Sequence, residues 1–172
     1  MKTTEFTGIR VEVETSLSFD EVTQRLQRST GQATLQDMIR VAGEVKNGDE
    51  YDRIINDQYA TPSGFIRFAQ VNHGAWLSVY GIRRRTVRWI LGNPTLAVTM
   101  IRHDVNAGLF VPVELLLTEQ SEGRGASVLY VRPSSLIAVD TASVELRAAV
   151  RVLDEKLSAL VDDITAKGAG RP

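Results

Sequence analysis

The sequence predicts an α+β fold: one mostly antiparallel sheet, helices packed on one face, and a long C-terminal helix laid across that face. Three observations predict it. Ile9, Val11 and Val13 alternate with Arg10, Glu12 and Glu14, the period-two pattern of a half-buried strand. Leu109–Glu119 and Ala126–Val131 flank a polar, glycine-containing turn from Gln120 to Gly125 and read as a hairpin. Leu146, Val150, Leu153, Leu157, Leu160 and Ile164 recur at spacings of three and four, one apolar stripe along about five turns of helix.

Taken in order, residues 1–7 have little to bury and are expected to be loose. The first strand is followed by Leu17-Ser18-Phe19-Asp20-Glu21-Val22. Here Ser18 and Glu21 have capping-box spacing, and Leu17 and Val22 stand at the staple positions. Phe19, Val22 and Leu26 form the apolar face, and Gly31 supplies a stop. Residues 32–63 read as an inserted helical segment. Thr34 with Asp37 caps a helix bearing Leu35, Met38, Ile39, Ala42 and Val45. Asn47-Gly48 breaks it, and Asp49 caps another turn or two carrying Tyr51, Ile54, Ile55 and Tyr59. The acidic residues between Glu44 and Asp57 read as a solvated face. Thr61–Gly64 is a loop.

Phe65–Val71 is apolar and aromatic, a strand. Asn72 caps a short helix from His73 to Tyr80 that Gly81 closes, although alternation in Ala75–Tyr80 keeps a strand open as an alternative. Arg85–Leu91 is a strand with Val87, Trp89 and Leu91 on one face. Asn93 caps the next helix, with Pro94 at its first position, where the missing N–H costs nothing. That helix should end near Asp104. Pro112 inside the following strand suggests a bulge or an edge. Pro133-Ser134-Ser135 ends the hairpin, Asp140 or Thr141 caps the last helix, and residues 167–172 form a flexible tail. The order is β-α-(insert)-β-α-β-α-β-β-α, in a single domain over residues 1–172.

At 172 residues one domain buries roughly 70% of its unfolded surface, so the chain needs no disulfide; it has no cysteine to make one. That excludes a thiol nucleophile, an iron–sulfur cluster and a cysteine zinc site. Twenty basic and 21 acidic residues give a net charge of −1, without the basic excess of a general nucleic-acid binder. The N-terminus lacks an apolar signal core, and no run is long enough to cross a bilayer. A cytoplasmic protein with no nucleic-acid or membrane partner is therefore expected.

Candidate chemistry gathers between Phe65 and Leu117. Gly92-Asn93-Pro94 is a strand-to-helix turn whose free N–H groups suit an anion, although a capped helix without ligand is the commoner outcome. His73 and His103, with Glu114 or Asp104, have the residue types of a two-histidine, one-carboxylate metal site. Two unrelated histidines are favoured over it, and no metal or other cofactor is expected. Arg83, Arg84, Arg85 and Arg88 form the dense basic patch, able to fork onto a phosphate or carboxylate, although a solvated loop is the commoner outcome. Trp76, Tyr80 and Trp89 read as pocket wall or core. No P-loop, dinucleotide fingerprint or Gly-x-Ser-x-Gly occurs.

Val71-Asn72-His73, the helix to Gly81, Gly92-Asn93-Pro94, Thr99-Met100, Leu109-Phe110-Val111-Pro112-Val113, Val128-Leu129-Tyr130 and Pro133 together resemble the bacterial family catalogued as domain of unknown function three-hundred-two. The resemblance extends to Ile9–Leu26 and the last helix. It implies a TATA-binding-protein-like fold and a homodimer, and it brings no established activity. Asn72 stands where the family usually has an acid, which weakens an acid–His73 pair, and the 32–63 connection is longer and more helical than usual. The leading expectation is a non-enzymatic domain holding a small, partly apolar or anionic ligand through His73, Trp76, Arg85, Arg88, Asn93 and His103. The alternatives are an enzyme of unknown reaction with His73 as general base near the Gly92-Asn93-Pro94 turn, and a self-associating protein joined through its aromatic stretch.

Overall fold

A computed structural model describes residues 1–139 and 143–167. Among these residues six strands form one sheet in the order β1-β6-β5-β4-β3-β2, antiparallel throughout except where β2 meets β3. The strands are β1 (Arg10–Thr15), β2 (Gly31–Gln32), β3 (Ile66–Asn72), β4 (Thr86–Gly92), β5 (Val113–Glu119) and β6 (Ala126–Val131). The helices are α1 (Phe19–Ser29), α2 (Leu35–Glu44), α3 (Gly48–Tyr59), α4 (His73–Leu77), α5 (Pro94–Ile101), α6 (Ser134–Ile137) and α7 (Val144–Thr165). The expected α+β architecture is the one observed, with α2, α3 and the two-residue β2 inserted between α1 and β3.

Strand alternation divides the sheet into two faces. Val87, Trp89 and Leu91 of β4 and Val113, Leu115 and Leu117 of β5 point into the main core, where α1 and α7 meet them. All six stripe residues of α7 are buried, from Leu146 to Ile164. The opposite face carries the cross-strand row Glu12, Leu129, Leu116, Arg88 and Val71, whose members are half-buried or exposed. A second, smaller cluster holds Ala33, Met38, Val41, Ile55 and Ile66, tying the insert to the far edge of the sheet.

Several local expectations are corrected. Ser18 accepts from the Glu21 N–H at 3.1 Å, but the Glu21 carboxylate takes the Arg25 guanidinium at 2.8 Å, so only half of that capping box forms. The full box forms instead at Thr34 and Asp37. The inward face of α2 is Met38 and Val41; Leu35, Ile39 and Ala42 face outward. Asn47, not Asp49, caps α3, accepting from Glu50 N–H at 2.9 Å, and Gly48 lies inside the helix. Helix α5 stops at Ile101, a 3₁₀ turn over Val105–Leu109 takes the first residue of the expected long strand, and the next three, Phe110 to Pro112, are irregular. β5 thus begins at Val113, one residue after Pro112, so the ladder loses no donor there. Ser143 caps α7 through Leu146 N–H at 3.0 Å; Asp140 and Thr141 lie outside the described residues, as does the tail beyond Lys167.

Candidate functional site

A hollow of about 530 Å³ opens on the face of the sheet opposite the main core. Its floor is Leu116 and Leu129, adjacent in register on β5 and β6. Arg10 stands at one side, and Leu136 of α6 and Phe110 help close it. Arg88 and Glu114 both line it and are ion-paired with each other. They come from neighbouring strands two residues out of register, since Arg88 pairs with Leu116 and Ile90 with Glu114. Among the described residues Arg10 makes no ion pair.

His73 also lines this hollow. Asn72 puts it there, because its side-chain oxygen accepts from Ala75 N–H at 3.1 Å and starts α4 at His73. Gly81 closes this segment at φ 77°, as expected, after a 3₁₀ turn over Ser78–Tyr80. The His73 ring meets Trp76 edge to face with centroids 5.9 Å apart, and Trp76 meets Tyr80 in the same way at 6.3 Å. Trp76 is half exposed and takes no part in the hollow.

The remaining candidates lie elsewhere. Arg85 makes a bidentate pair with Asp20, and its guanidinium sits 4.2 Å from the Phe19 ring centroid, so it fastens β4 to the start of α1. Its hydrogen bonds hold the Asp20 carboxyl below its ordinary 3.8, and Asp20 in turn raises the Arg85 pKa. Asn93 is buried and fully engaged: Oδ1 accepts from Thr95 N–H at 2.9 Å, and Nδ2 donates to the Gly64 carbonyl at 2.9 Å and to Asn56 at 3.4 Å. It is a joint between the insert and α5. Beside it lies a separate apolar hollow of about 210 Å³, walled by Phe65, Leu96, Met100 and Pro112. His103 is exposed past the end of α5.

A single pocket joining all six residues is therefore not formed. The reason is the length of β4. Asn72 pairs with Val87 and Ile66 with Gly92, so His73 and Asn93 flank opposite ends of the strand, roughly 17 Å apart along it. The two-histidine, one-carboxylate arrangement is not formed either; no group of three or more His, Asp or Glu among the described residues is placed to hold a metal. His73 and Arg88 do come together. Arg10, Leu116 and Leu129 join them only through strand register, and no local signal in the sequence marks them.

A family model described as domain of unknown function DUF302 matches residues 49–164. Among solved structures, an uncharacterized conserved DUF302 protein from Bacillus stearothermophilus is similar, with a TM-score of 0.62 and 16% identity, covering 90% of this chain and 97% of that one. That likeness is one of fold. No curated protein matches. Among the described residues no helix is long and apolar enough to cross a membrane.

Proposed function

This chain belongs to the DUF302 family, and from that premise we propose that it is a binding domain whose open sheet face holds a small, partly apolar anion. The observation that carries this reading is the hollow itself. It sets an apolar floor, Leu116 and Leu129, beside two guanidinium groups, Arg10 and Arg88, with His73 at the rim. Mainly apolar concavities with a few converging polar groups are the usual form of small-molecule sites. Glu114 already neutralises Arg88, so Arg10 is the group that takes the ligand's charge, while the leucines take its body. His73 orients the ligand. It has no hydrogen-bonded acid or base beside it among the described residues, which favours binding over general-base catalysis.

The test is a thermal-shift screen of organic acids and acyl compounds against wild type, Arg10→Ser and His73→Ala. A ligand at a hundredfold excess over its Kd stabilises by about 2.7 kcal/mol, several degrees of Tm for a chain of this size. A hit that is lost in Arg10→Ser supports the reading. A hit indifferent to both substitutions, or no hit in wild type, overturns it.

Self-association is a second reading, favoured by one observation. Trp76, Val79 and Tyr80 are 50%, 81% and 74% exposed along one short segment, with Ile82 close behind. Contiguous exposed apolar groups of this size mark interaction surfaces. The proposed occupant is a second copy of the chain, forming a homodimer. Sedimentation would then give a dimer for wild type and a monomer for a Val79→Asp, Tyr80→Ser double variant; a monomeric wild type at high concentration rejects it.

A further inference from the structure

We propose that a third hollow, between the insert and the β3–β4 end of the sheet, binds a small carboxylate through the indole N–H of Trp89 and the guanidinium of Arg67. The hollow measures about 470 Å³ and is walled by Gln32, Asp37, Arg67, Gln70 and Trp89. Two of those side chains carry buried N–H donors with no acceptor among the described residues: Nε1 of Trp89 and Nε of Arg67. Trp89 is 2% exposed. Buried donors are almost always paired in folded proteins, so an orphan is a pointer to a missing partner. Here two belong to side chains in contact with each other, since the Arg67 guanidinium lies 5.8 Å from the Trp89 ring centroid. One acceptor group with two oxygens satisfies both.

The backbone is arranged to the same end. Trp89 pairs with Gln70 and Leu91 with Arg67, and the register shifts between Arg67 and Ala69. Such a bulge re-aims the side chains around it and recurs beside functional sites. Arg67 is held by one further bond, from Nη2 to the Gln32 side chain at 3.2 Å. Burial lowers its pKa, and a neighbouring anion offsets that cost. Both orphan nitrogens are shielded from bulk water, so the ligand enters as Arg67, the half-exposed partner, swings aside.

The charge balance of the hollow fixes the ligand's charge. Asp37 is the opposing anion. Its Oδ2 accepts from the Thr34 N–H at 2.8 Å and the Thr34 hydroxyl at 2.7 Å, and Arg40 stands 3.9 Å from Oδ1. Arg40 offsets Asp37, which leaves the Arg67 guanidinium as the one uncompensated charge of the hollow among the described residues, so a singly charged carboxylate fits better than a phosphate dianion.

Trp76 and Trp89 are the two tryptophans of the chain, so Trp76→Phe leaves a single indole N–H to follow by ¹H–¹⁵N NMR. Sodium acetate and sodium benzoate are titrated into this protein, with sodium chloride and inorganic phosphate at matched ionic strength. The Trp89 signal is expected to move downfield and saturate with the carboxylates only. In Arg67→Gln the apparent affinity falls about tenfold or more, the loss of a charge-assisted hydrogen bond. Arg67→Lys, which keeps the charge without the Nε–H, falls between wild type and Gln, and serves if the Gln variant does not fold. A Trp89 signal that stays still, that follows chloride equally, that prefers phosphate, or that is indifferent to both Arg67 variants overturns the proposal.

Discussion

A methyl group on Gly31 would lie 1.6 Å from the Tyr59 carbonyl oxygen. No side chain can be accommodated there, because the obstacle is backbone. Gly31 reads in the sequence as a helix stop, and α1 does end beside it. The cause differs: Thr30 terminates α1 in extended conformation, and the glycine serves the close approach of the end of α3. Gly31→Ala is expected to cost about 3 kcal/mol in urea unfolding, the upper end for a substitution that forces the backbone to shift. Asp20 is a second residue-scale case. Its folded carboxyl sits below 3.8 because Arg85 hydrogen-bonds it, so it binds its proton less readily when folded than when unfolded. The pair's contribution is therefore complete above the unfolded pKa and fades as pH falls through the lower folded value. Carboxyl NMR should place the Asp20 titration below 3.8 in wild type and near it in Arg85→Gln. The Asn93 cap was legible in the sequence, because its partner Thr95 is two residues away. The use of Arg85 was not, because Asp20 is 65 residues away.

Helix α2 shows where reading by element succeeds and where it stops. Thr34 and Asp37 announce its start and make both expected bonds, since capping is a local exchange of hydrogen bonds. Its apolar residues allow two stripes, and periodicity cannot choose between them. Packing on Ile55 and Ile66 chooses Met38 and Val41, leaving Leu35 and Ile39 58% and 65% exposed. Met38→Ala should therefore cost about 2–5 kcal/mol, while Ile39→Ala stays within about 0.5 kcal/mol, both measured by denaturant titration. The stripe of α7 was unambiguous because its spacing repeats over the whole helix. The apolar run Leu109–Val111 looks like an extension of β5, but it follows the 3₁₀ turn over Val105–Leu109, which Asp104 starts by accepting from Asn106 N–H at 2.9 Å.

Across the whole molecule the apolar interior is split. Phe65 belongs to the main cluster and Ile66, the next residue, to the smaller one that holds the insert. A small cluster held at a sheet edge opens more readily than the central core. Amides of α2 and α3 should exchange hydrogen faster than those of α7 and β5, and as a group; equal protection of all four elements would contradict this. The overall architecture was legible because each element carries its own period. The two hollows proposed to bind ligands were not. Arg88 meets Leu116, and Arg67 meets Trp89, only once strand order and the bulge in β3 are set, and neither is written in any short stretch of sequence.

Strand β1 has β6 as its neighbour in the sheet, and Thr15 at its end donates to the Thr165 carbonyl at 2.9 Å, across 150 residues. On a ribosome moving at about 5–20 residues per second, roughly 8–30 s separate the synthesis of these two threonines. For most of that time, until β6 is made, β1 is a strand without its sheet partner. Arg10, Glu12 and Glu14 then have a role beyond the finished fold: charges on every second position keep a waiting strand from joining the nascent chain beside it.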